Sequence, residues 1–170
     1  MAEPNDYKAK RATALTNPTA ATTFKTVDSA TTPAAVYVPA GARAFYLRAM
    51  GSVAGGTTTN FTPKIQIGTS ATAASNSDFF SGGAVGYNSS NGYYLMEVLC
   101  NADQTNSTVN GVGWGSNGPT GAAISAAAAT QATGIDVTVS GVGFVVTGLF
   151  SATGATNSCT LDSFTLEVLN

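Results

Sequence analysis

The acidic side chains are the first place to look for chemistry, because the chain of 170 residues contains no histidine. Without histidine, Ser-His and Cys-His mechanisms and histidine-built zinc sites are excluded. Paired carboxylates can still hydrolyse glycosidic bonds, but the spacing of the acids after position 64 pairs none of them. We therefore expect no enzyme, with a carboxylate glycosidase as the competing interpretation. The acids concerned are Asp78, Glu97, Asp103, Asp136 and Asp162.

No cofactor and no metal site is predicted. Cys100 and Cys159 lie in apolar, strand-like runs and lack metal-ligand spacing, so we interpret them as buried thiols. A single bridge between neighbouring strands is the alternative. Calcium held by Asp78 or Asp103 with loop carbonyls is a further alternative, although no ligand-loop pattern surrounds either acid.

The basic residues are confined to the first 64 positions. Seven basic and three acidic residues give this part a net charge of +4, whereas six acids give the remainder −6. Such polarity predicts a basic segment that docks on a negative partner. Nucleic acid is not expected as that partner, because no basic stripe is interleaved with aromatic residues. The basic residues are Lys8, Lys10, Arg11, Lys25, Arg43, Arg48 and Lys64.

Residues 1–34 have too few large apolar side chains to form a core, and Pro4, Pro18 and Pro33 disfavour helix interiors. We interpret them as an extended N-terminal arm that gains order on a partner. A disordered tail, or a first strand lying along the body, is the alternative. The predicted contact residues of the arm are Tyr7, Lys8, Lys10, Arg11, Phe24 and Lys25.

A second set of candidate contacts is aromatic. Tyr87, Tyr93, Tyr94 and Trp114 lie near loops rich in glycine and asparagine, where a flat ring can stack on a sugar or fill a pocket of a partner. We select Tyr87, Tyr94 and Trp114 as the loop-aromatic contacts. Packing in the core is the competing interpretation.

Residues 35–170 have the pattern of an all-β domain. Short runs with a two-residue period alternate with Gly, Asn and Ser clusters, which predicts a β-sandwich or jelly roll of about eight strands. We expect residues 134–141 to form the most regular strand, and the alanine-rich residues 124–133 to form a loop, with a short helix as the alternative. The runs 93–100 and 142–150 are apolar on both faces, which predicts cover by a second sheet and by a neighbour.

The chain shows no apolar stretch of membrane-spanning length and no secretory signal, so we expect synthesis in the cytoplasm and no membrane partner.

The amino-acid sequence resembles that of head decoration (cement) proteins of tailed bacteriophages in three stretches: residues 34–51, Ile65–Ile67 and Ser163–Val168. The resemblance implies a small β-sandwich that binds the major capsid protein on the outer surface of the virion, as a homotrimer. It implies a structural role in which the protein bridges capsid subunits and stabilises the shell. The family has no catalytic residues to transfer. A receptor- or glycan-binding module of a fibre or tail is the alternative.

Overall fold

The computed structural model describes residues 7–9, 15–16, 22–23, 35–55, 60–68, 77–87, 91–118, 124–138, 142–152 and 157–169. These residues form an all-β sandwich of two antiparallel sheets, as the sequence pattern predicts. Within them, no helix is long and apolar enough to cross a membrane. The strands are β1 (Tyr7–Ala9), β2 (Leu15–Thr16), β3 (Thr22–Thr23), β4 (Ala35–Tyr37), β5 (Ala44–Ala54), β6 (Asn60–Gly68), β7 (Ser77–Ser81), β8 (Val85–Gly86), β9 (Asn91–Asp103), β10 (Thr108–Gly118), β11 (Ile124–Thr133), β12 (Gly143–Phe150), β13 (Ser158–Cys159) and β14 (Ser163–Val168).

The larger sheet has the strand order β1-β14-β5-β9-β10-β11, and β13 joins it by pairing with β5 and β2. The smaller sheet has the order β3-β12-β6-β7, with β4 beside β12 and β8 beside β6. Two strands near the end of the chain pair with strands near its middle: β12 pairs with β6, and β14 pairs with β5. Eight of these strands have five or more residues, which agrees with the expected number.

The core lies between the two sheets, and residues along β5 and β9 alternate between the core and the opposite face. In β5, Phe45, Leu47 and Ala49 are fully buried, while the residues between them face the other way. An aromatic contact connects the sheets: the ring centroid of Phe144 on β12 lies 5.6 Å from that of Phe45 on β5. Within the smaller sheet, the Phe144 ring also lies 5.4 Å from that of Phe79 on β7. Such ring contacts help to hold β5 against the smaller sheet.

Glycines in β10 bring the sheets close together at β7. A Cβ atom built on Gly113 would lie 2.5 Å from the ring of Phe80, and one on Gly111 would lie 3.1 Å from the ring of Phe79. The rings of β7 therefore pack directly on the backbone of β10. At the same edge, the Thr130 hydroxyl of β11 donates a hydrogen bond to the Phe79 carbonyl, which holds the two sheets together.

Two sequence-based expectations about strands are wrong. The alanine-rich segment forms strand β11, which pairs with β10 along most of its length, so it is neither a loop nor a helix. Small side chains permit this because the backbone ladder supplies the stabilisation. In the predicted strand 134–141, residues 134–138 turn instead: Gly134 has a φ of +71°, and the Asp136 carboxylate accepts a hydrogen bond from the Thr138 amide at 2.9 Å. Residues 139–141 lie outside the described residues.

The described pieces of the N-terminal arm are short edge strands on the body of the same chain. Tyr7–Ala9 pairs with Phe164–Leu166 of β14, and Thr22–Thr23 pairs with Thr147–Gly148 of β12. The division between arm and body at residue 34 stays a prediction.

We predict that Gly113→Ala lowers the free energy of unfolding by about 1–3 kcal/mol, because the added methyl group forces the Phe80 ring away from β10. Urea denaturation followed by circular dichroism measures the change. Gly86→Ala is the matched control, since its Cβ would be 3.4 Å from the nearest atom, the Asn60 Oδ1. Equal midpoints for the two variants would contradict the close packing of β7 on β10.

Candidate functional site

The most distinctive surface is the face of the larger sheet that points away from the core, which we call the outer face. Alternation along β5, β9 and β10 puts every second residue there. The register places these residues in cross-strand rows: Tyr46, Leu99 and Val112 form one row, and Arg48, Glu97 and Trp114 form the next. Met50 and Leu95 follow in a third row, and Ser52 and Tyr93 in a fourth.

The outer face is apolar and exposed. Tyr93 is 70% exposed, Val112 51%, Leu99 49%, Trp114 39% and Met50 37%. Scattered apolar residues on a surface need no explanation, but a contiguous group on one sheet face marks an interaction site. The outer face is therefore the leading candidate for partner binding.

A hydrogen-bonded cluster lies at the centre of the outer face. The Trp114 indole N–H donates to Glu97 Oε2 at 2.6 Å, and Arg48 Nε lies 3.5 Å from Glu97 Oε1. The Glu97 side chain is 17% exposed, whereas that of Arg48 is 48% exposed. The carboxylate thus sits beneath its partners and fixes the orientation of the indole ring.

Tyr46 completes this cluster. Its ring centroid is 6.5 Å from that of Trp114, and its side chain forms a hydrogen bond with Glu97. Burial, followed by the hydrogen bond to Glu97 and the negative charge of that carboxylate, raises the pKa of Tyr46 to about 12. The phenol therefore stays neutral at physiological pH and holds its position beside the indole.

A shallow groove of about 690 Å³ runs beside this cluster. Leu99 and Val112 line its apolar side, while the amide groups of Asn101, Asn110 and Gln131 line the other. These three amides form one cross-strand row, in which Gln131 Nε2 donates to Asn110 Oδ1 at 2.7 Å. The outer face thus combines apolar area with a polar margin.

The aromatic residues predicted as contacts differ in their exposure to solvent. Trp114 is exposed on the outer face, on a strand and not on a loop. Tyr87 and Tyr94 are 0% and 1% exposed and pack around Phe61, so their assignment as surface contacts is wrong. Each hydroxyl donates to a backbone carbonyl: that of Tyr94 to the Thr160 carbonyl at 2.8 Å, and that of Tyr87 to the Tyr93 carbonyl at 3.3 Å.

Of the predicted arm contacts, Tyr7 and Lys8 belong to β1. Lys10, Arg11, Phe24 and Lys25 lie outside the described residues.

The cysteines are both free and buried, and burial raises the pKa of both thiols. The carboxylates considered for catalysis each have a local partner. Asp78 interacts with Lys64 and Gln66, and Asp103 accepts amide hydrogen bonds in the β9–β10 turn. The described residues include no group of three or more His, Cys, Asp or Glu arranged to hold a metal ion.

No protein-family model matches the chain, and no curated protein matches it. Among solved structures, it is similar to an engineered GH43 glycoside hydrolase with endo-xylanase and exo-arabinofuranosidase activity, at 8% identity and a TM-score of 0.42. The match covers 82% of this chain and 32% of that one, so the chain spans about a third of the length of the hydrolase.

This comparison corrects the expectation that the chain is not an enzyme, because the matched protein is a glycoside hydrolase. With a TM-score of 0.42, the likeness carries no argument about an activity, a substrate or catalytic residues in this chain.

We predict that Glu97→Gln lowers the pKa of Tyr46 from about 12. The variant removes the negative charge but keeps an acceptor for the indole, and burial, the largest cause, still holds the pKa above its ordinary value. Titration of ¹³C-labelled tyrosines by NMR measures the shift. The resonance of Tyr93, which is exposed, serves as the internal control. An unchanged Tyr46 midpoint would show that Glu97 does not act on the phenol.

Proposed function

We propose that this chain is a capsid decoration (cement) protein of a tailed bacteriophage. It is made in the host cytoplasm, binds the outer surface of the capsid through the major capsid protein, and stabilises the shell by bridging capsid subunits. This proposal is supported by the resemblance of residues 34–51 and Ser163–Val168 to decoration proteins, and by the sandwich fold.

The observation that carries the proposal is the contrast between the long strands of the body and the short strands of the arm. The core cluster takes its members from both sheets. The described arm pieces add strands of only two or three residues. We expect such a body to stay folded without the arm, which would leave the arm able to contact a neighbouring subunit.

The distribution of charge also supports a binding role for the arm. The arm carries Lys8, Lys10 and Arg11, whereas the chain after Lys64 has acids and no basic residue. A basic segment of this kind is attracted to an acidic surface such as the one we propose for the capsid lattice. Contacts repeated over a shell give the arm avidity even where each is weak.

We predict that the full-length variant Lys8→Gln, Lys10→Gln, Arg11→Gln binds capsids roughly tenfold more weakly, since each lost surface ion pair contributes up to about 1 kcal/mol. Cosedimentation with expanded capsids of its own virus measures binding, at low and at physiological salt. Lys64→Gln, a basic residue outside the arm, is the control and should bind normally.

Deletion of residues 1–34 provides a second test of the same idea. The body should keep its β-sheet circular dichroism while capsid binding is lost. Undiminished capsid binding by the protein that lacks residues 1–34, or by the triple variant, would contradict the proposal that the arm binds the capsid.

Glycan or receptor binding by a fibre or tail module is a second candidate function, favoured by one observation. Trp114 presents an exposed ring on the outer face, and the amides of Asn101, Asn110 and Gln131 lie two rows away, beyond Leu99 and Val112. Flat rings that stack on sugar faces, with amides that bind hydroxyl groups, are the usual features of such sites.

For this candidate, we predict that Trp114→Ala abolishes binding on a glycan array while the thermal midpoint changes little. Tyr94→Ala is unsuitable for the test because Tyr94 is buried and its loss damages the core. A wild-type protein that binds no glycan on the array would remove this candidate.

A further inference from the structure

The capsid binding that we propose for the arm does not involve the outer face of the larger sheet. We infer that this face packs against the same face of a second copy of the chain, forming a two-fold dimer. This pairing goes beyond capsid binding and does not depend on it.

Apolar exposure is the first argument. Strand β9 has buried core residues on one side, yet Tyr93 and Leu99 on its other side are largely exposed, and Val112 continues the apolar surface on β10. A strand that is apolar on both sides is typical of a sheet covered on both sides. Among the described residues, the smaller sheet covers one side of β9, while Tyr93 and Leu99 on the other side stay exposed and can be covered by a partner.

The size of the face fits a dimer. Five rows of outward residues, from Ala44 to Ser52 on β5, cross β5, β9 and β10, and three of these rows extend onto β14. With strands about 4.8 Å apart and outward residues about 6.8 Å apart, the face covers roughly 590 Å². Two such faces bury roughly 1,200 Å², which lies at the lower end of the range of stable protein interfaces.

Charge complementarity identifies the occupant as a second copy. Arg48 and Glu97 lie directly opposite each other on β5 and β9, at the centre of the face. A two-fold axis in the plane of the interface, parallel to the strands and between β5 and β9, exchanges these two positions. Each Arg48 then lies over Glu97 of the second copy, so the centre of the interface holds two opposite-charge pairs and no like-charge contact.

The same axis matches the neighbouring rows. Tyr46 comes to lie over Leu99 of the second copy, and Met50 over Leu95 of the second copy, by the same exchange of β5 and β9. Between β5 and β9, apolar residues therefore meet apolar residues on both sides of the charged centre. At the margins, β10 lies over β14 of the second copy, where Val112 faces Glu167 and Trp114 faces Thr165. A two-fold pair differs from the homotrimer that the resemblance to decoration proteins implies.

The experiment compares two serine variants of equally exposed residues, Leu99→Ser on the outer face and Tyr37→Ser on the smaller sheet, which are 49% and 47% exposed. Sedimentation equilibrium of the full-length protein without capsids should give a dimer for the wild type and for Tyr37→Ser. Leu99→Ser should raise the dimer dissociation constant at least about tenfold. A monomeric or trimeric wild type, or an equal dissociation constant for both variants, would overturn the proposal.

Charge reversal gives an independent test that holds even where Leu99→Ser fails to fold. Arg48→Glu leaves two acids, and Glu97→Arg leaves two bases, at the centre of each face. Each variant alone should be monomeric because like charges meet across the axis. An equimolar mixture should form a one-to-one heterodimer, since every acid then meets a base. Dimers of either variant alone, or no association in the mixture, would count against the two-fold pairing.

Because both tests are done without capsids, their failure leaves the proposed capsid binding untouched. Loss of capsid binding by the arm variants with intact dimers would in turn leave this inference standing.

Discussion

The contact between aromatic rings of the smaller sheet and the backbone of the larger one is the constraint on which the structure depends. Phe79 and Phe80 of β7 approach β10 where Gly111 and Gly113 leave space, and Phe144 of β12 reaches Phe45 of β5. These contacts fill the space between the sheets with few large residues. A chain in which only 9% of residues are charged and alanine is abundant can therefore still form a core.

A fixed core determines what the opposite side of each strand presents. Since β5, β9 and β10 each direct one set of side chains inward, the other set is necessarily aligned in rows on the outer face. The Arg48–Glu97–Trp114 row is a direct product of this register. Its hydrogen bonds hold the indole in one orientation, which reduces the entropy that binding would cost.

The fold class was readable from the sequence because alternation and turn residues are local signals. The positions of β5, β6 and β14 were visible in this way. Strand β11 was not, since a run of alanine carries no two-residue period, and only pairing with β10 makes it a strand. Residues 134–138 alternate in type, yet a left-handed glycine and the Asp136 side chain turn the backbone there.

The site was less predictable. Tyr93 and Tyr94 are adjacent in sequence and equally aromatic, but only the register of β9 decides that Tyr93 is exposed and Tyr94 buried. Glu97 gave no sign of its role, because its partners come from two other strands. A signal was present in the run 93–100, whose apolar residues on both faces indicated cover on two sides.

Strand β10 has a consequence for how such a protein diversifies. A side chain at Gly111 or Gly113 would collide with the core, whereas Val112 and Trp114, which alternate with them, lie on the exposed outer face. A lineage can therefore exchange the two outward residues and acquire a new binding preference while the scaffold remains the same. Along a single strand, positions where natural selection must preserve glycine thus alternate with positions where it can accept substitutions.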